Sequence, residues 1–186
     1  VRATPVFADV DPQTMNLDPD AVARAVTPRT KAILPVHLAG RPCDLDALMQ
    51  IAQRHGLAVI EDAAHATDAR HRGRPIGSIG DLTAFSFYVT KNLVTGEGGM
   101  LTTNNAAWAE EIRVKALHGI SRDAWKRYSA EGFQPYDTVF PGYKYNMTDL
   151  QAALGIHQLA RLEVNLAVRE RHWRRYDEAF RGHPLL

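Results

Sequence analysis

The chain has little of several features that mark specialised classes of protein. Its single cysteine, Cys43, excludes an internal disulfide. No apolar run approaches the ~20 residues that a membrane-spanning helix needs, and the first residues show no secretory signal pattern. We therefore expect a cytoplasmic protein that does not act at a membrane.

The charges are almost balanced, with 22 Lys and Arg against 21 Asp and Glu and a formal net charge of +1. Both signs are mixed along the sequence, so there is no broad basic field of the kind that nucleic-acid binding requires. A length of 186 residues with 45% hydrophobic side chains suffices for one sizeable core. A small-molecule partner is expected rather than a nucleic acid.

Both ends of the sequence look cut. Val1 leads straight into a strand-like pattern without an initiator methionine, and Leu186 closely follows a long helical pattern. We expect a fragment of a longer protein.

Short β-branched runs alternate with helical patterns, and this alternation predicts an α/β fold with a mostly parallel sheet. Helical spacing of apolar residues and capping signals support the helices, of which the clearest begins after Asp44 and stops at Gly56. The predicted strands are 6–10, 32–38, 57–60, 82–88 and 100–103, and the predicted helices are 19–26, 45–55, 105–117, one from 148 and one ending near 180.

The helix that begins near Thr148 has an apolar stripe formed by Leu150, Ala153, Leu154 and His157. The stripe is expected to be its packing face. Residues 119–145 have no sustained period, and we interpret them as a long excursion, which in compact domains is usually functional or disordered.

Three features carry chemistry. Asp62 ends a nearly all-apolar strand, at the edge of an open α/β sheet where ligands gather, although such an aspartate is often only a helix cap. Lys91 follows a later strand that carries Ser86. Burial there would lower the pKa of its amine and favour the neutral, nucleophilic form. The alternative is a surface lysine, which is the commoner case. The glycines of 96–99 suit either a hairpin or close approach to a ligand.

Histidines suggest a metal site only weakly. His65 and His71 are six residues apart, ligand pairs on helices prefer spacings of three or four, and no cysteine accompanies them. We therefore predict no metal site, and the alternative for His65 is a hydrogen-bonded core residue. A structural role is expected for His37, His55 and His118.

Together these motifs resemble the DegT/DnrJ/EryC1/StrS sugar aminotransferases, a family of fold-type I enzymes that use pyridoxal 5′-phosphate (PLP). The resemblance extends over nearly the whole chain, and its motifs are Glu61-Asp62-Ala63-Ala64-His65-Ala66, Gly73-Arg74-Pro75-Ile76-Gly77, Gly80-Asp81, Phe85-Ser86-Phe87, Lys91-Asn92, Thr95-Gly96-Glu97-Gly98-Gly99 and 142–153.

The resemblance implies a three-layer α/β/α fold and a set of cofactor-binding residues. Asp62 would pair with the pyridine nitrogen and favour the protonated ring, which acts as an electron sink. Lys91 would hold the cofactor as an internal aldimine and move protons as the catalytic residue. His65 would lie near the ring, and Ser86 would bind the phosphate.

The resemblance also implies a homodimer with shared active sites. The segment with Lys144 and Asn146 would reach the partner's cofactor phosphate, although many relatives carry asparagine and arginine at these positions. Residues 1–160 would be a partial PLP-binding large domain, and 161–186 a helix leading toward a smaller domain. The family's phosphate-binding N-terminal segment would precede Val1.

The activity implied is transfer of an amino group, from L-glutamate, to a keto group of a nucleotide-linked sugar. Cations and aromatics within 121–136 offer contacts for a nucleotide diphosphate, or form a solvated face: Arg122, Trp125, Lys126 and Arg127. The alternatives are a related dehydratase, which has histidine at the position of Lys91, a non-enzymatic regulator of the same fold, and an inactive remnant.

Overall fold

The computed structural model describes residues 2–120 and 137–184, and its centre is a four-stranded sheet. The strands in spatial order are β1 (Ala32–Ile33), β2 (Ala58–Asp62), β5 (Leu82–Ser86) and β6 (Gly99–Thr102). β1, β2 and β5 are parallel, and β6 runs antiparallel to β5. β3 (Arg70–His71) and β4 (Arg74–Pro75) form a separate small hairpin. The predicted α/β fold with a mostly parallel sheet is confirmed.

The second predicted strand is much shorter than 32–38 because proline interrupts it. β1 ends at Ile33, and Pro35 has no N–H to give to a ladder. The chain pairs again at Val36, which forms an isolated bridge with Asp62. This second contact holds the segment against the end of β2.

The predicted first strand, 6–10, is wrong for the described residues. Only Val10 pairs, in an isolated bridge with Leu17 across a local turn. Val6 and Phe7 are exposed, at 74% and 93%. Within residues 2–120 and 137–184 no neighbouring strand forms a hydrogen-bonded ladder with these residues. A β-branched run that lacks a partner strand does not form a strand.

Helices α1 (Pro19–Ala25) and α2 (Leu45–His55) pack on one face of the sheet. The Asp44 carboxylate accepts from the Ala47 N–H at 3.2 Å and caps α2, and Gly56 ends it in the left-handed conformation, with φ 64°. Both ends of α2 therefore lie where the sequence predicts. The core between α2 and the sheet includes Leu45, Leu48, Ile51, Ala52, Ile33 and Val59.

Three further helices follow the sheet: α3 (Ala106–Ala116), α4 (Asp149–Ala160) and α5 (Leu162–Phe180). The predicted packing face of α4 is wrong, because Leu150 and Leu154 are 82% and 56% exposed and Ala153 and His157 are exposed too. A Cβ on Gly155 would lie 3.2 Å from the Thr95 Cγ2. The contact of α4 with the turn between β5 and β6 therefore involves a small residue, and the apolar stripe faces outward.

Within the residues that the structure describes, no helix is both long and apolar enough to cross a bilayer.

We expect the replacement Leu48→Ala to lower the free energy of unfolding by about 2–5 kcal/mol, since it empties a well-packed core position. Leu48 is fully buried between α2 and the sheet. Denaturant unfolding of the full-length protein measures the loss. Gln50→Ala, on the exposed side of the same helix, is the control and should change the free energy by less than about 0.5 kcal/mol. Equal effects of the two changes would contradict this account of the core.

Candidate active site

Two of the predicted site residues face the same groove at the carboxyl ends of the strands. Asp62 pairs with Ala84 in the β2–β5 ladder, and Ser86 lies two residues further along β5. Because successive side chains of a strand point to opposite faces of the sheet, all three residues lie on the same face. The groove has a volume of about 300 Å³. Its lining residues are Leu34, Ile60, Glu61, Asp62, Ala64, Ala84, Phe85 and Ser86. It thus combines a flat, mainly apolar floor with a carboxylate and a hydroxyl.

Asp62 is held by its own backbone. Its N–H donates to the Pro35 carbonyl at 2.8 Å, and its carbonyl accepts from the His37 N–H at 3.0 Å. The Oδ1 atom accepts from the Ala64 N–H at 3.0 Å. These contacts fix the carboxylate at the strand end and leave Oδ2 for a ligand in the groove. The helix-cap alternative for Asp62 does not apply, because no helix begins here.

Lys91 lies in the turn beyond β5 rather than on the strand, and it is half-buried. Its N–H donates to the Tyr88 carbonyl at 2.9 Å, and the Thr95 N–H donates to the Phe87 carbonyl at 2.9 Å. The turn closes at Gly96, whose φ of 84° suits glycine. Lys91 is not among the residues that line the groove.

The other predicted residues lie at the surface. His65 is exposed in the turn after β2, so its interpretation as a buried core histidine is wrong. Lys144 and Asn146 are exposed and contact each other, through the Lys144 Nζ and the Asn146 Oδ1. The backbone of this segment is pinned to the end of α3 by the Tyr145 N–H, which donates to the Ala116 carbonyl at 2.8 Å. The basic and aromatic positions within 121–136 lie outside the described residues.

Sequence reasoning missed a buried pair beneath the groove, His37 and Glu61. Both side chains are fully buried, and His37 Nε2 lies 2.8 Å from Glu61 Oε2. His37 Nδ1 accepts from the Cys43 N–H at 3.1 Å, which places the ring proton on Nε2 as the donor to Glu61. The expectation of a structural role for His37 did not identify its partner, which lies 24 residues away.

The second oxygen of the Glu61 carboxylate is also satisfied. Oε1 accepts from the Gly80 N–H at 2.7 Å and from the Thr83 hydroxyl at 2.8 Å. A Cβ on residue 80 would lie 2.7 Å from this oxygen, so only glycine lets the backbone approach. The glycine of the Gly80-Asp81 motif is therefore required, because any side chain there would clash with the buried Glu61 carboxylate.

Burial and hydrogen bonding have opposite effects on the pKa of Glu61. Burial raises the pKa, but the hydrogen bonds from His37, Thr83 and Gly80 together outweigh burial and hold it below the ordinary value of 4.5. A carboxyl with a lowered pKa in the folded state stabilises the fold above its unfolded pKa. That contribution is lost as the pH falls through the lower, folded pKa.

A group of possible metal ligands lies away from the groove. Asp44, Asp46 and His71 bring their ligand atoms within 4.8 Å of one another. Asp46, however, contacts His71 at 3.2 Å, Arg72 at 2.8 Å and Arg74 at 2.6 Å, and the pKa of its carboxyl is lowered, chiefly by the neighbouring His71. Two guanidinium groups already balance its charge, so we interpret the group as an ion-pair cluster.

We expect Glu61→Gln to lower the free energy of unfolding at pH 7 by about 1–3 kcal/mol, the cost of one unsatisfied buried polar group. In one orientation the NH2 of the new amide would face the His37 Nε2–H, and the opposite histidine tautomer would present a donor to the Cys43 N–H. In the other orientation the NH2 would face the Gly80 N–H. Unfolding followed from pH 7 to pH 3 should show a loss of stability below about pH 4.5 that is smaller in the variant. Glu97→Gln, at an exposed position, is the control; a variant as stable as the wild type would contradict the network.

Comparison with known proteins supplies the family. A family model described as the DegT/DnrJ/EryC1/StrS aminotransferase family matches residues 1–186. The chain is 58% identical over 184 residues to the spore coat polysaccharide biosynthesis protein SpsC of Bacillus subtilis, covering 99% of this chain and 47% of SpsC. The chain therefore spans about half the length of the curated relative that it matches.

Solved structures agree in fold. Spr1654 of Streptococcus pneumoniae in its PLP form superposes with a TM-score of 0.87 at 36% identity, over 97% of this chain and 49% of Spr1654. DesI, solved in the presence of its TDP-sugar product, gives a TM-score of 0.82 at 41% identity, over 97% of this chain and 43% of DesI. With the family match over its whole length, the chain belongs to the DegT/DnrJ/EryC1/StrS aminotransferase family.

Proposed function

We propose that the full-length protein is a PLP-dependent aminotransferase that moves an amino group from an amino acid, L-glutamate, to a keto group of a nucleotide-linked sugar. The observation that carries the proposal is the shared groove of Asp62 and Ser86, with Lys91 in the next turn. The family match and the TDP-sugar in the DesI structure support the sugar substrate. Lys91 weighs against the dehydratase, which has a histidine there.

The groove suits the cofactor chemically. Its flat floor of Ile60 and Ala84 can accept an aromatic ring, and the anchored Asp62 carboxylate can pair with a protonated ring nitrogen. When bound, PLP supplies an electron sink for the carbanion formed at the substrate carbon. In this proposal Asp62 keeps the ring nitrogen protonated, and the Ser86 hydroxyl donates to the phosphate.

The Lys91 amine has two tasks in this proposal. It holds the cofactor covalently before the amino donor arrives, and it then carries the proton to and from the substrate carbon as general base and acid. The turn that holds it is fixed by backbone hydrogen bonds on both sides, at Tyr88 and at Phe87. His65 would lie beside the ring at the exposed edge.

The remaining assignments concern the whole assembly. Residues 1–160 are proposed as part of the cofactor-binding domain, and 161–186 as the helix leading toward a second domain; the break between α4 and α5 falls at Arg161. Lys144 and Asn146 are proposed to reach the cofactor phosphate of a second subunit in a homodimer, which their exposure permits. A cytoplasmic location fits such a metabolic role.

Replacing Lys91 by Ala should abolish covalent attachment of the cofactor and lower kcat by at least about 100-fold, as expected when the acid–base group is lost. Borohydride reduction of the wild-type protein with PLP, followed by peptide mass spectrometry, should find the cofactor on the peptide that contains Lys91. Lys31→Ala, at an exposed position, should retain both attachment and activity. Attachment that survives in Lys91→Ala would overturn the assignment.

We expect Asp62→Asn to lower kcat by roughly 100-fold or more, since a neutral amide cannot favour the protonated ring, an electrostatic contribution of the size seen for other preorganised groups. The amide keeps the size of the side chain and an oxygen for the Ala64 N–H. The visible spectrum of the bound cofactor should therefore change while the thermal midpoint stays within a few degrees of that of the wild type. An unchanged spectrum and kcat would argue that Asp62 does not face the ring nitrogen.

A further inference from the structure

A second carboxylate joins three segments that are far apart in sequence. The Asp68 side chain, 10% exposed, lies in the turn after β2 and forms an ion pair with Arg169 of α5. It also accepts from the Asn92 side-chain amide, at 3.2 Å on Oδ1 and 3.4 Å on Oδ2. Asn92 directly follows Lys91. One charged group therefore contacts both α5 and the turn that carries the proposed catalytic lysine.

The chemistry of this junction requires all three members. A carboxylate so little exposed needs a cation or several donors to offset its desolvation. Asn92 supplies one neutral amide, and Arg169, whose side chain is 39% exposed, supplies the charge. Loss of Arg169 would leave the carboxylate with too few partners, so it would turn toward water and release Asn92.

A second ion pair joins nearly the same two segments but differs in exposure. Arg70 and Glu163 are 3.7 Å apart, with side chains 54% and 78% exposed. Pairs as exposed as this contribute little. It therefore provides an internal comparison, because it connects the segment after β2 with α5 without touching Asn92.

We infer that Asp68 is a positioning residue. It fixes the Lys91 turn through Asn92, and it does so while α5 keeps Arg169 in contact with it. The inference rests on the proposed function only for the role of Lys91. It gives α5 a task beyond connecting two domains. A displacement of α5 that separates Arg169 from Asp68 loosens the turn, and a docked α5 holds Lys91 in place for the reaction.

Hydrogen exchange on the full-length protein without cofactor tests the physical connection. In Asp68→Ala and Arg169→Met, the amides of residues 88–95 should exchange about tenfold faster, the loss expected for one hydrogen bond to a charged group. Asp68→Asn, which keeps an acceptor for Asn92 but no charge for Arg169, should give an intermediate rate. Arg171→Met, an exposed position on the same helix, and Arg70→Met should leave the turn unchanged.

The same variants loaded with PLP give an independent readout at Lys91. The midpoint of the pH titration of the visible absorption band should shift in Arg169→Met and not in Arg171→Met. Unchanged exchange at 88–95 in Arg169→Met, or faster exchange spread evenly over the whole protein with a lower thermal midpoint, would overturn the inference. A wild-type protein without a visible band would instead refute the proposed function, and the exchange comparison would still decide the positioning role.

Discussion

The buried Glu61 carboxylate is the constraint on which the strand-end region depends. A negative charge inside a protein is tolerated only when each oxygen has donors, and here they come from three segments: His37 before α2, Gly80 in the turn before β5, and Thr83 on β5. Neighbouring residues of a strand point to opposite faces, so Glu61 ties the strand into the core while Asp62 faces the groove. Of the two adjacent carboxylates, Glu61 therefore stabilises the fold, and Asp62 is the one proposed to contact the cofactor.

Much of this region could be predicted from the sequence, because the signals that define it are local. Asp44 and Gly56 bound α2 as capping chemistry requires, and the apolar run of β2 placed Asp62 at a strand end. The pairing of His37 with Glu61 could not be predicted, since it depends on the segment after β1 coming alongside the end of β2. The short β1 has a local cause in Pro35, which interrupts the ladder that the β-branched run favours.

The misassigned face of α4 has a different origin. Amphipathic periodicity identifies a stripe but does not say what covers it, and here α4 approaches the turn between β5 and β6 through Gly155, next to Thr95. The apolar stripe with Leu150 and Leu154 stays exposed in a chain about half as long as its relative SpsC. The exposed His65 is a similar case, because the sequence alone does not distinguish a core histidine from one at the surface.

The antiparallel pairing of β5 with β6 has a consequence for how the molecule folds. Ser86 pairs with Gly99, so the turn with Lys91 is closed by strands that are neighbours in sequence, and such local contacts have a small loop-closure entropy and form early. Arg169 meets Asp68 across 101 residues, so this contact has a larger loop-closure entropy and is expected to form later. We therefore expect the turn with Lys91 to acquire its local shape in an early hairpin and its final orientation when the last long helix docks.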